Sequence, residues 1–411
     1  MRKYLASFKE HHPIVNMLLI GTVFARTASS MSLPFLAIYL LATTNMNPVT
    51  IGAIIGIGSL SGMAGGFVGG FLSDRFGRRV VMLSSLYVWA LVFLGFSLTK
   101  NPLVFAFLNA TNGLCRSFFE PVSQALMADL TEREKRLHIF SLRYLAINIG
   151  VAVGPLLGTL FAAINGSLPW MITGIFYLIY AAALHVLLIK FGIRSIEGEK
   201  KEQVTISQSW QVIARDRAFR FFILGGIVSG IGYAQMTSTL SQYVEGQFAS
   251  GATLFAWLMT VNAVVVIAFQ MPISKWAGKY SPLTAIVIGS ACYAVGHVGF
   301  AFSQNWTMLV ISMVFFTWGE VLTFPAGAIM VDRLAPEHMR GTYFGAQSFT
   351  NLGFFLGPLL GGFLLQKFGG STLFVTVAVI TLISVLFYRI GMQGGANGIQ
   401  KQSGQARGGA S

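Results

Sequence analysis

Four ionisable side chains interrupt long apolar stretches of this sequence: Arg26, Arg116, Glu120 and Glu320. Within a membrane, a charged side chain costs about 2.5–3.5 kcal/mol or more unless it is paired or hydrated, so such residues normally face a cavity and serve a function. Arg116 and Glu120 are four residues apart and therefore share one face of a helix. Two arginines and two carboxyl groups at such positions point to ion pairing or to proton transfer.

The two carboxyl groups are the candidates for proton binding. A carboxyl group in an apolar cavity favours its neutral form, whereas a nearby arginine favours the carboxylate. A site whose arginine neighbour moves between two states can therefore load and release a proton near neutral pH. We expect Glu120 or Glu320 to carry this proton and favour Glu320, because its own apolar stretch contains no arginine. The alternative is static ion pairing of Glu120 with Arg26 or Arg116.

The composition decides what kind of protein contains these stretches. The chain has 411 residues, of which 54% are hydrophobic and only 10% are charged, and its formal net charge is +14. A soluble domain carries roughly a quarter of its residues as Asp, Glu, Lys or Arg. The low share of charged residues excludes a soluble enzyme and a nucleic-acid-binding protein, and it indicates a polytopic membrane protein of the lipid bilayer.

Long, continuous apolar runs predict helices that cross the membrane, because a span needs about 20 apolar residues with internally bonded backbone. We predict an all-α protein of twelve spans in two pseudo-symmetric six-helix bundles, residues 1–190 and 219–391. A linker, 191–218, joins the bundles, and the polar tail 392–411 is expected to be disordered. Spans 1 to 12 are predicted near 14–41, 47–73, 79–99, 103–127, 139–163, 168–190, 219–242, 251–274, 281–302, 306–331, 341–365 and 371–391.

The connections between spans differ in charge on the two sides of the membrane. Those after odd-numbered spans are short and nearly uncharged, and we call their side the hairpin side. Those after even-numbered spans are rich in Lys and Arg, and we call their side the basic side. An excess of Lys and Arg marks the cytoplasmic face. We therefore expect a protein of the inner (plasma) membrane with both termini in the cytoplasm.

The two halves of the sequence repeat one another. Pro121 corresponds to Pro325, and the Gly154-Pro155 pair corresponds to Gly357-Pro358 after a slip of one residue. Arg116 and Glu320 are separated by the same offset as the two prolines, so they are expected at equivalent depths with opposite charge. Repeated six-span halves allow a transporter to present two related faces to a central site and to rock between them.

Two segments combine small residues with charge or proline. In the connection after span 2, small residues allow close helix approach and arginines hold the turn at the membrane surface. Span 5 carries small residues at a spacing of four, which form a flat stripe for packing, and a proline that bends the helix. The first segment contains Gly70, Asp74, Arg75, Gly77, Arg78 and Arg79, and the second contains Gly150, Gly154, Pro155 and Gly158.

The first segment resembles the signature loop of the major facilitator superfamily, and the second resembles the motif that marks the antiporter branch of that superfamily. The chain as a whole is most similar to the twelve-span drug:proton antiporters. The resemblance implies that the loop from Gly70 to Arg79 latches one conformation and that spans 1, 4, 7 and 10 line a central cavity. It also implies a proton-transfer role for Arg116, although the Gln and Gly of the family's span 4 motif are missing.

The expected function is therefore proton-coupled efflux of lipophilic small molecules by alternating access, carried out by a monomer. Arg26 stands where many drug antiporters have a carboxylate, so anionic, zwitterionic and neutral substrates have equal weight with cations. We expect coupling at Glu320, Glu120 and Arg116. The predicted cavity residues are Arg26, Ser30, Tyr39, Tyr233, Gln235, Gln242, Trp318 and Phe324.

Two other functions stay open. One is a proton symporter or facilitator for a sugar, a metabolite or a lipid-like substrate, and the other is a receptor or scaffold that retains the fold without transport. The sequence has no metal-ligand cluster, phosphate-binding loop or catalytic triad, so we expect no enzyme activity, no metal and no cofactor.

Overall fold

A computed structural model of the chain describes residues 11–44, 46–132, 135–192, 206–277, 279–335 and 340–408. These residues form helices and contain no strand. The long helices confirm the all-α fold with twelve spans. Spans 1 to 10 are Pro13–Thr43, Pro48–Phe76, Arg78–Leu98, Pro102–Asp129, Arg136–Ile164, Leu168–Lys190, Arg217–Gln247, Gly251–Ala277, Pro282–Phe302 and Trp306–Leu334.

Spans 11 and 12 are two helices that follow one another directly within Asn351–Gly408. A short helix, Arg340–Gln347, and a 3-10 turn, Ser348–Thr350, lead into span 11. Gly369 separates the two helices on the hairpin side with a φ of 80°, a backbone conformation that glycine adopts without steric cost. The second helix is described as far as Gly408, and the expected disorder of the tail 392–411 stays a prediction.

Ten helices of the described chain are long and apolar enough to cross a membrane. One of them, Ser348–Met392, contains both spans 11 and 12. Span 4 is not among the ten, since it carries Asn109, Asn112, Arg116 and Glu120 within its length. Its polar side chains make contacts inside the protein, so span 4 is a crossing helix whose polar face is covered by neighbouring helices.

The hairpin side shows why several spans begin where they do. Asn47 and Asn101 each precede a proline, and their side-chain oxygens accept hydrogen bonds from Thr50 N and Leu103 N at 2.9 Å. A side-chain oxygen at the N-cap satisfies a free backbone N–H, and proline at the first helical position lacks the N–H that would be unpaired. Span 10 begins in the same way at Asn305, without the proline. These short turns therefore fix the starts of spans 2, 4 and 10.

Each half has its own apolar core, and the halves meet along two pairs of spans. One core lies among spans 1 to 6, and two others lie mainly in spans 7 to 12. Span 2 packs on span 11, and span 5 packs on span 8. On the hairpin side, the ring of Phe35 packs edge-on against Phe255 at 5.5 Å between centroids. Ile38 of span 1 joins the core formed by Leu240 and Val244 of span 7, so the halves are in contact on the hairpin side.

The glycine stripe of span 5 packs directly on span 1. A Cβ built on Gly150 would lie 2.6 Å from Arg26 Cβ, and one on Gly154 would lie 3.0 Å from Met31 N. Real Cβ atoms do not approach other atoms so closely, so the backbones of the two spans touch only because these positions lack side chains. The stripe therefore also sets the position of Arg26. Span 11 repeats the arrangement against span 7, where a Cβ on Gly357 would lie 2.8 Å from Ala234 Cβ.

The connecting segments on the basic side are described only in part. The linker contains an amphipathic helix, Ile206–Arg215, in which Val212 and Ile213 are buried. Trp210 of the same helix is 60% exposed, and the centroid of its ring lies 6.1 Å from that of Phe349. In the loop after span 2, Gly77 ends the helix with a φ of 83°. The side chains of Asp74, Arg75 and Arg78 lie outside the described residues, so the latch remains a prediction.

The packing of span 5 on span 1 predicts a stability effect. Gly154→Ala should lower the unfolding temperature of the purified protein, because the added methyl group meets the backbone of span 1 and overpacking costs about 1–3 kcal/mol. Gly66→Ala is the matched control, since a Cβ there meets nothing within 4 Å. Thermal unfolding in detergent measures both variants. Equal unfolding temperatures for Gly154→Ala and Gly66→Ala would contradict this packing.

Candidate functional site

The first half of the protein holds a cluster of charges around Glu120. Arg26 of span 1 donates from Nη2 to Glu120 Oε1, and Arg116 Nε lies 3.3 Å from the same oxygen. The side chains of Arg26 and Glu120 are 22% and 23% exposed, whereas that of Arg116 is 60% exposed. The structure therefore brings together three of the four ionisable residues that interrupt the apolar runs. The ion pairs that the sequence left as an alternative for Glu120 are present.

A fourth member of this cluster, Arg143, was missed by the sequence analysis. It lies on span 5, close enough to Glu120 and Arg26 for their charges to interact. Its Nε is buried and has no hydrogen-bond partner among the described residues. The sequence carries a signal for it, because residue 143 falls inside the predicted range 139–163 of span 5. It was grouped with the basic surface because it lies near the end of that range.

The second half holds the other carboxyl group among neutral partners. Glu320 Oε2 accepts a hydrogen bond from Asn262 Nδ2 at 2.8 Å, and Glu320 Oε1 accepts one from Tyr233 OH at 3.2 Å. Asn262 Nδ2 also lies 3.0 Å from Thr317 Oγ1. Within the described part of the chain, Glu320 makes no ion pair. The two donors come from spans 7 and 8, so together with span 10, which carries Glu320, three helices of this half meet at the carboxyl group.

Aromatic rings surround this carboxyl group. The ring of Tyr233 packs against those of Tyr293, Phe316 and Phe324, with centroids 5.2–6.2 Å apart. Tyr293 lies close enough for its hydroxyl to interact electrostatically with Glu320. Apolar surroundings of this kind strengthen every electrostatic interaction of the carboxyl group, since there is little water to screen it.

A cavity of about 300 Å³ lies beside Glu320 at the boundary between the halves. Tyr144 of span 5 lines it from the first half, and Tyr144 OH donates to Gln270 Oε1 of span 8 at 3.2 Å. Phe324, which is 52% exposed, lines the cavity from span 10. The cavity therefore has walls from both halves, with a carboxyl group on one of them. Its lining residues are Tyr144, Val266, Gln270, Glu320, Phe324 and Pro325.

Span 4 and span 10 carry a proline near their carboxyl groups. Pro121 follows Glu120 directly, and Pro325 lies five residues after Glu320. Proline lacks the N–H that would bond to the carbonyl four residues earlier, which leaves Ser117 O and Val321 O without their usual intrahelical donor. Both helices are therefore locally weakened at equivalent positions of the repeat, next to the residues that carry charge.

Several predicted cavity residues lie between helices instead. Gln235 is fully buried and donates to Gly357 O of span 11 at 2.9 Å, and Gln242 is buried and donates to Ser238 O of its own helix. Ser30 is buried and donates to Gly150 O of span 5 at 2.9 Å. Tyr39 packs its ring on Trp170 and Phe105 in the core of the first half. Polar side chains in membrane helices often bind neighbouring helices in this way.

The remaining predicted cavity residues have different positions. Phe324 and Tyr233 line cavity walls, and Arg26 is part of the Glu120 cluster. Trp318 packs against Phe269 and Phe315, and its Nε1 is buried without a hydrogen-bond partner among the described residues. Arg26, Tyr233 and Phe324 are therefore the members of the predicted set that the structure places around the central charges.

The comparisons with known proteins identify the family. The sequence profile of the Major Facilitator Superfamily matches residues 18–250 and 236–404, one match for each half. The chain is 37% identical over 388 residues to the MFS-type transporter YqjV of Bacillus subtilis (strain 168), which covers 93% of this chain and 94% of the relative.

More distant relatives have more specific names. The Na(+), Li(+), K(+)/H(+) antiporter of Planococcus maritimus is 25% identical over 83% of this chain and 86% of its own length. The multidrug resistance protein MdtH of Yersinia enterocolitica is 23% identical over 88% of this chain and 86% of its own. The crystal structure of the nucleoside transporter NupG superposes with a TM-score of 0.79 over 92% of this chain and 99% of that one, at 13% identity, and supports the fold alone.

The Glu120 cluster predicts unequal effects of removing its members. Glu120→Gln should destabilise the protein more, because it leaves Arg26 and Arg143 without a carboxylate where the Arg26 and Glu120 side chains are only 22% and 23% exposed. Breaking a pair that is withdrawn from water costs more than breaking an exposed one, up to about 3–5 kcal/mol when the pair is fully buried. Arg116→Gln should cost little, because its side chain is 60% exposed and exposed pairs contribute about 0–1 kcal/mol. Thermal unfolding of the purified variants tests the order. A larger loss for Arg116→Gln than for Glu120→Gln would refute it.

Proposed function

The chain belongs to the major facilitator superfamily, and on this basis we propose that it exports lipophilic small molecules in exchange for protons by alternating access. Proteins of this family are membrane transporters rather than enzymes, and they bind small-molecule substrates. The proton exchange, the lipophilic substrate and the direction are the proposal. The relatives that support it include an antiporter that exchanges cations for protons and a multidrug resistance protein.

The observation that carries the proposal is the environment of Glu320. Its two oxygens accept hydrogen bonds from Asn262 and Tyr233, which are both neutral donors. A proton on Glu320 would neutralise the charge on this wall of the cavity. Burying a neutral side chain costs less free energy than burying a charged one, so protonation would favour a conformational change that closes the cavity around it. Because no arginine forms an ion pair with Glu320 in the described part of the chain, we infer that a bound proton neutralises this carboxyl group. The titratable groups that face Glu320 are Tyr144, Tyr233 and Tyr293.

Glu120 fits a different role. Arg26 and Arg116 contact it, and Arg143 interacts with it electrostatically, so three cations favour its ionised form. A carboxylate held in this way stays ionised, so it would bind a proton too weakly to carry one through a transport cycle. We therefore assign Glu120 to holding spans 1, 4 and 5 together, and Glu320 to coupling. Arg116, the most exposed of the three arginines, remains the proposed partner in the proton transfer, which it would assist through its fixed charge, since arginine keeps its own proton.

The proposed cycle follows from these two roles. With the halves joined on the hairpin side, the cavity opens to the basic side, which we propose to be the cytoplasm, and substrate enters as Glu320 gives up its proton there. The halves then rock about the contacts of span 2 with span 11 and of span 5 with span 8. Substrate leaves on the hairpin side, Glu320 takes up a proton from outside, and the protein returns. We propose a monomer in the plasma membrane with cytoplasmic termini.

A second candidate function is the exchange of a monovalent metal cation for protons. Glu320, Thr317 and Tyr233 bring side-chain oxygen atoms close to the amide of Asn262, and oxygen atoms are the ligands that hard cations prefer. The relative from Planococcus maritimus is named for such an exchange. In this case the same carboxyl group would bind either the cation or the proton.

The coupling role of Glu320 predicts the loss of one activity with the retention of another. In proteoliposomes with an imposed pH gradient, Glu320→Gln should reduce proton-driven substrate flux to the level of empty vesicles, because an amide cannot exchange a proton. Substrate binding should remain measurable. Glu245→Gln is the matched control, since Glu245 is an exposed carboxylate at the hairpin-side end of span 7. It should transport like the unmodified protein.

Other outcomes of this experiment decide between the alternatives. Unchanged pH-driven flux in Glu320→Gln would remove Glu320 as the coupling site. Protons that move in the same direction as the substrate would indicate a symporter instead of an antiporter. Binding without flux in the unmodified protein, under any gradient, would indicate a receptor.

The two candidate exchanges predict different responses to ions. In acidified vesicles monitored with a pH-sensitive dye, addition of a lipophilic drug should release the internal protons if drugs are the substrates. Addition of NaCl or KCl should leave the gradient unchanged in that case, with choline chloride as the control for ionic strength. Release of protons by NaCl or KCl that Glu320→Gln abolishes would favour cation exchange and contradict the drug assignment.

A further inference from the structure

The charges on the first half do not balance. Arg26, Arg116 and Arg143 surround a single carboxylate, that of Glu120. Among the described residues, no other acidic side chain forms an ion pair with these arginines. The cluster therefore carries two positive charges in excess inside the membrane. Uncompensated charge at this depth is costly, so it is kept only where water, an anion or a functional partner balances it.

Arg116 and Arg143 have unused hydrogen-bonding capacity. The guanidinium of Arg116 contacts Glu120 through Nε, which leaves its two Nη groups without a protein partner in the described structure. Its side chain is 60% exposed although it lies in the middle of span 4. The Nε of Arg143 is buried and unpaired within the same part of the chain. Arginine cannot lose its proton in a protein, so these groups stay charged through the cycle.

Arg116 lies on the wall that faces the second half. It is close enough to Tyr233 of span 7 for its charge to act on that phenol, and Tyr233 in turn donates to Glu320. The opposite wall offers the rings of Tyr233 and Phe324 and a carboxyl group. The two walls therefore differ in kind, with guanidinium groups on one side and aromatic rings with one acid on the other.

This arrangement complements a particular chemistry. A guanidinium group presents its N–H donors in a fork that matches the two oxygens of a carboxylate, and such charge-assisted pairs are about twice as strong as neutral hydrogen bonds. A cation would be repelled by the excess of two positive charges. An apolar substrate would leave the arginines without a counter-ion.

We propose that the acidic group of the substrate binds at Arg116 and Arg143, so that the transported compounds are lipophilic organic acids, including zwitterions. This inference rests on the proposed transport function and names its substrate class. The acidic group supplies the negative charge that the cluster lacks. The apolar part of the substrate packs against Phe324 and Tyr233, next to the carboxyl group of Glu320.

The test uses three probes of similar size that share a naphthalene ring and differ in the charge of their polar group. They are 1-naphthylacetate, its neutral amide 1-naphthylacetamide, and 1-naphthylethylammonium, measured by calorimetric titration of the purified protein at one pH and ionic strength. The acid should bind about tenfold or more tightly than the amide, which corresponds to one charge-assisted hydrogen-bond pair. The ammonium compound should bind no better than the amide. Equal affinities of acid and amide for the unmodified protein would overturn the proposal.

Variants then locate the acid site. Arg116→Gln should lower the affinity for the acid and remove most of its preference over the amide, with the remainder due to Arg143, and it should leave the amide affinity unchanged. Arg116→Lys should retain more of the preference, because it keeps the charge but loses the fork. Arg143→Gln should act in the same direction, and the exposed Arg116 keeps the test valid if the Arg143 variant does not fold. Lys100→Gln, which removes an exposed charge on the hairpin side, is the control. An acid preference that is undiminished in Arg116→Gln would overturn the assignment.

The preference for the acid is an equilibrium property and does not depend on proton coupling. Glu320→Gln should keep the difference between acid and amide while it loses pH-driven flux. A reduced preference in Arg116→Gln together with intact pH-driven flux in Glu320→Gln would uphold the acid site and refute the coupling site. The reverse pattern, with acid and amide bound equally and flux lost in Glu320→Gln, would refute the acid site and uphold the coupling site.

Discussion

The cost of a charge inside the membrane is the constraint on which the rest of this structure depends. Two clusters meet that constraint in different ways. In the first half, Glu120 is surrounded by arginines and is held in ion pairs. In the second half, Glu320 has neutral hydrogen-bond donors only. The halves share a fold and a repeated sequence, yet one carboxyl group has cationic partners and the other has neutral ones. That difference is the basis on which we propose coupling to a proton at Glu320.

Close packing of the helices fixes the positions of these charged groups. The glycines of span 5 allow span 1 to approach until a Cβ on Gly150 would meet Arg26. Gly357 plays the corresponding part in the second half, where Gln235 ties span 7 to span 11. Each half is therefore a closely packed unit, and the freedom to move lies between the halves. Tyr144 and Gln270 are joined across that boundary beside the cavity, so the rocking that we propose would have to break or rearrange their hydrogen bond.

Much of the fold could be predicted from the sequence, because apolar length and the placement of basic residues report directly on the membrane. The site could be predicted only in part. Arg26, Glu120 and Glu320 stand out because charge is rare inside an apolar run, whereas Arg143 is hidden near a basic end. Gln235 illustrates the opposite error, since helical spacing shows which face a residue occupies but not whether a neighbouring helix or a cavity covers that face. Which neighbour is present depends on packing between distant segments.

The central claim is that Glu320 exchanges a proton while Glu120 stays ionised. Infrared difference spectroscopy of the protein in lipid, recorded as the pH is changed, measures the C=O stretch of protonated carboxylic acids directly. Between weakly acidic and neutral pH, where exposed carboxyl groups stay ionised, we expect a pH-dependent carboxylic acid band that disappears in Glu320→Gln and persists in Glu120→Gln. A band in this range that persists in Glu320→Gln, or one that Glu120→Gln removes, would contradict the claim.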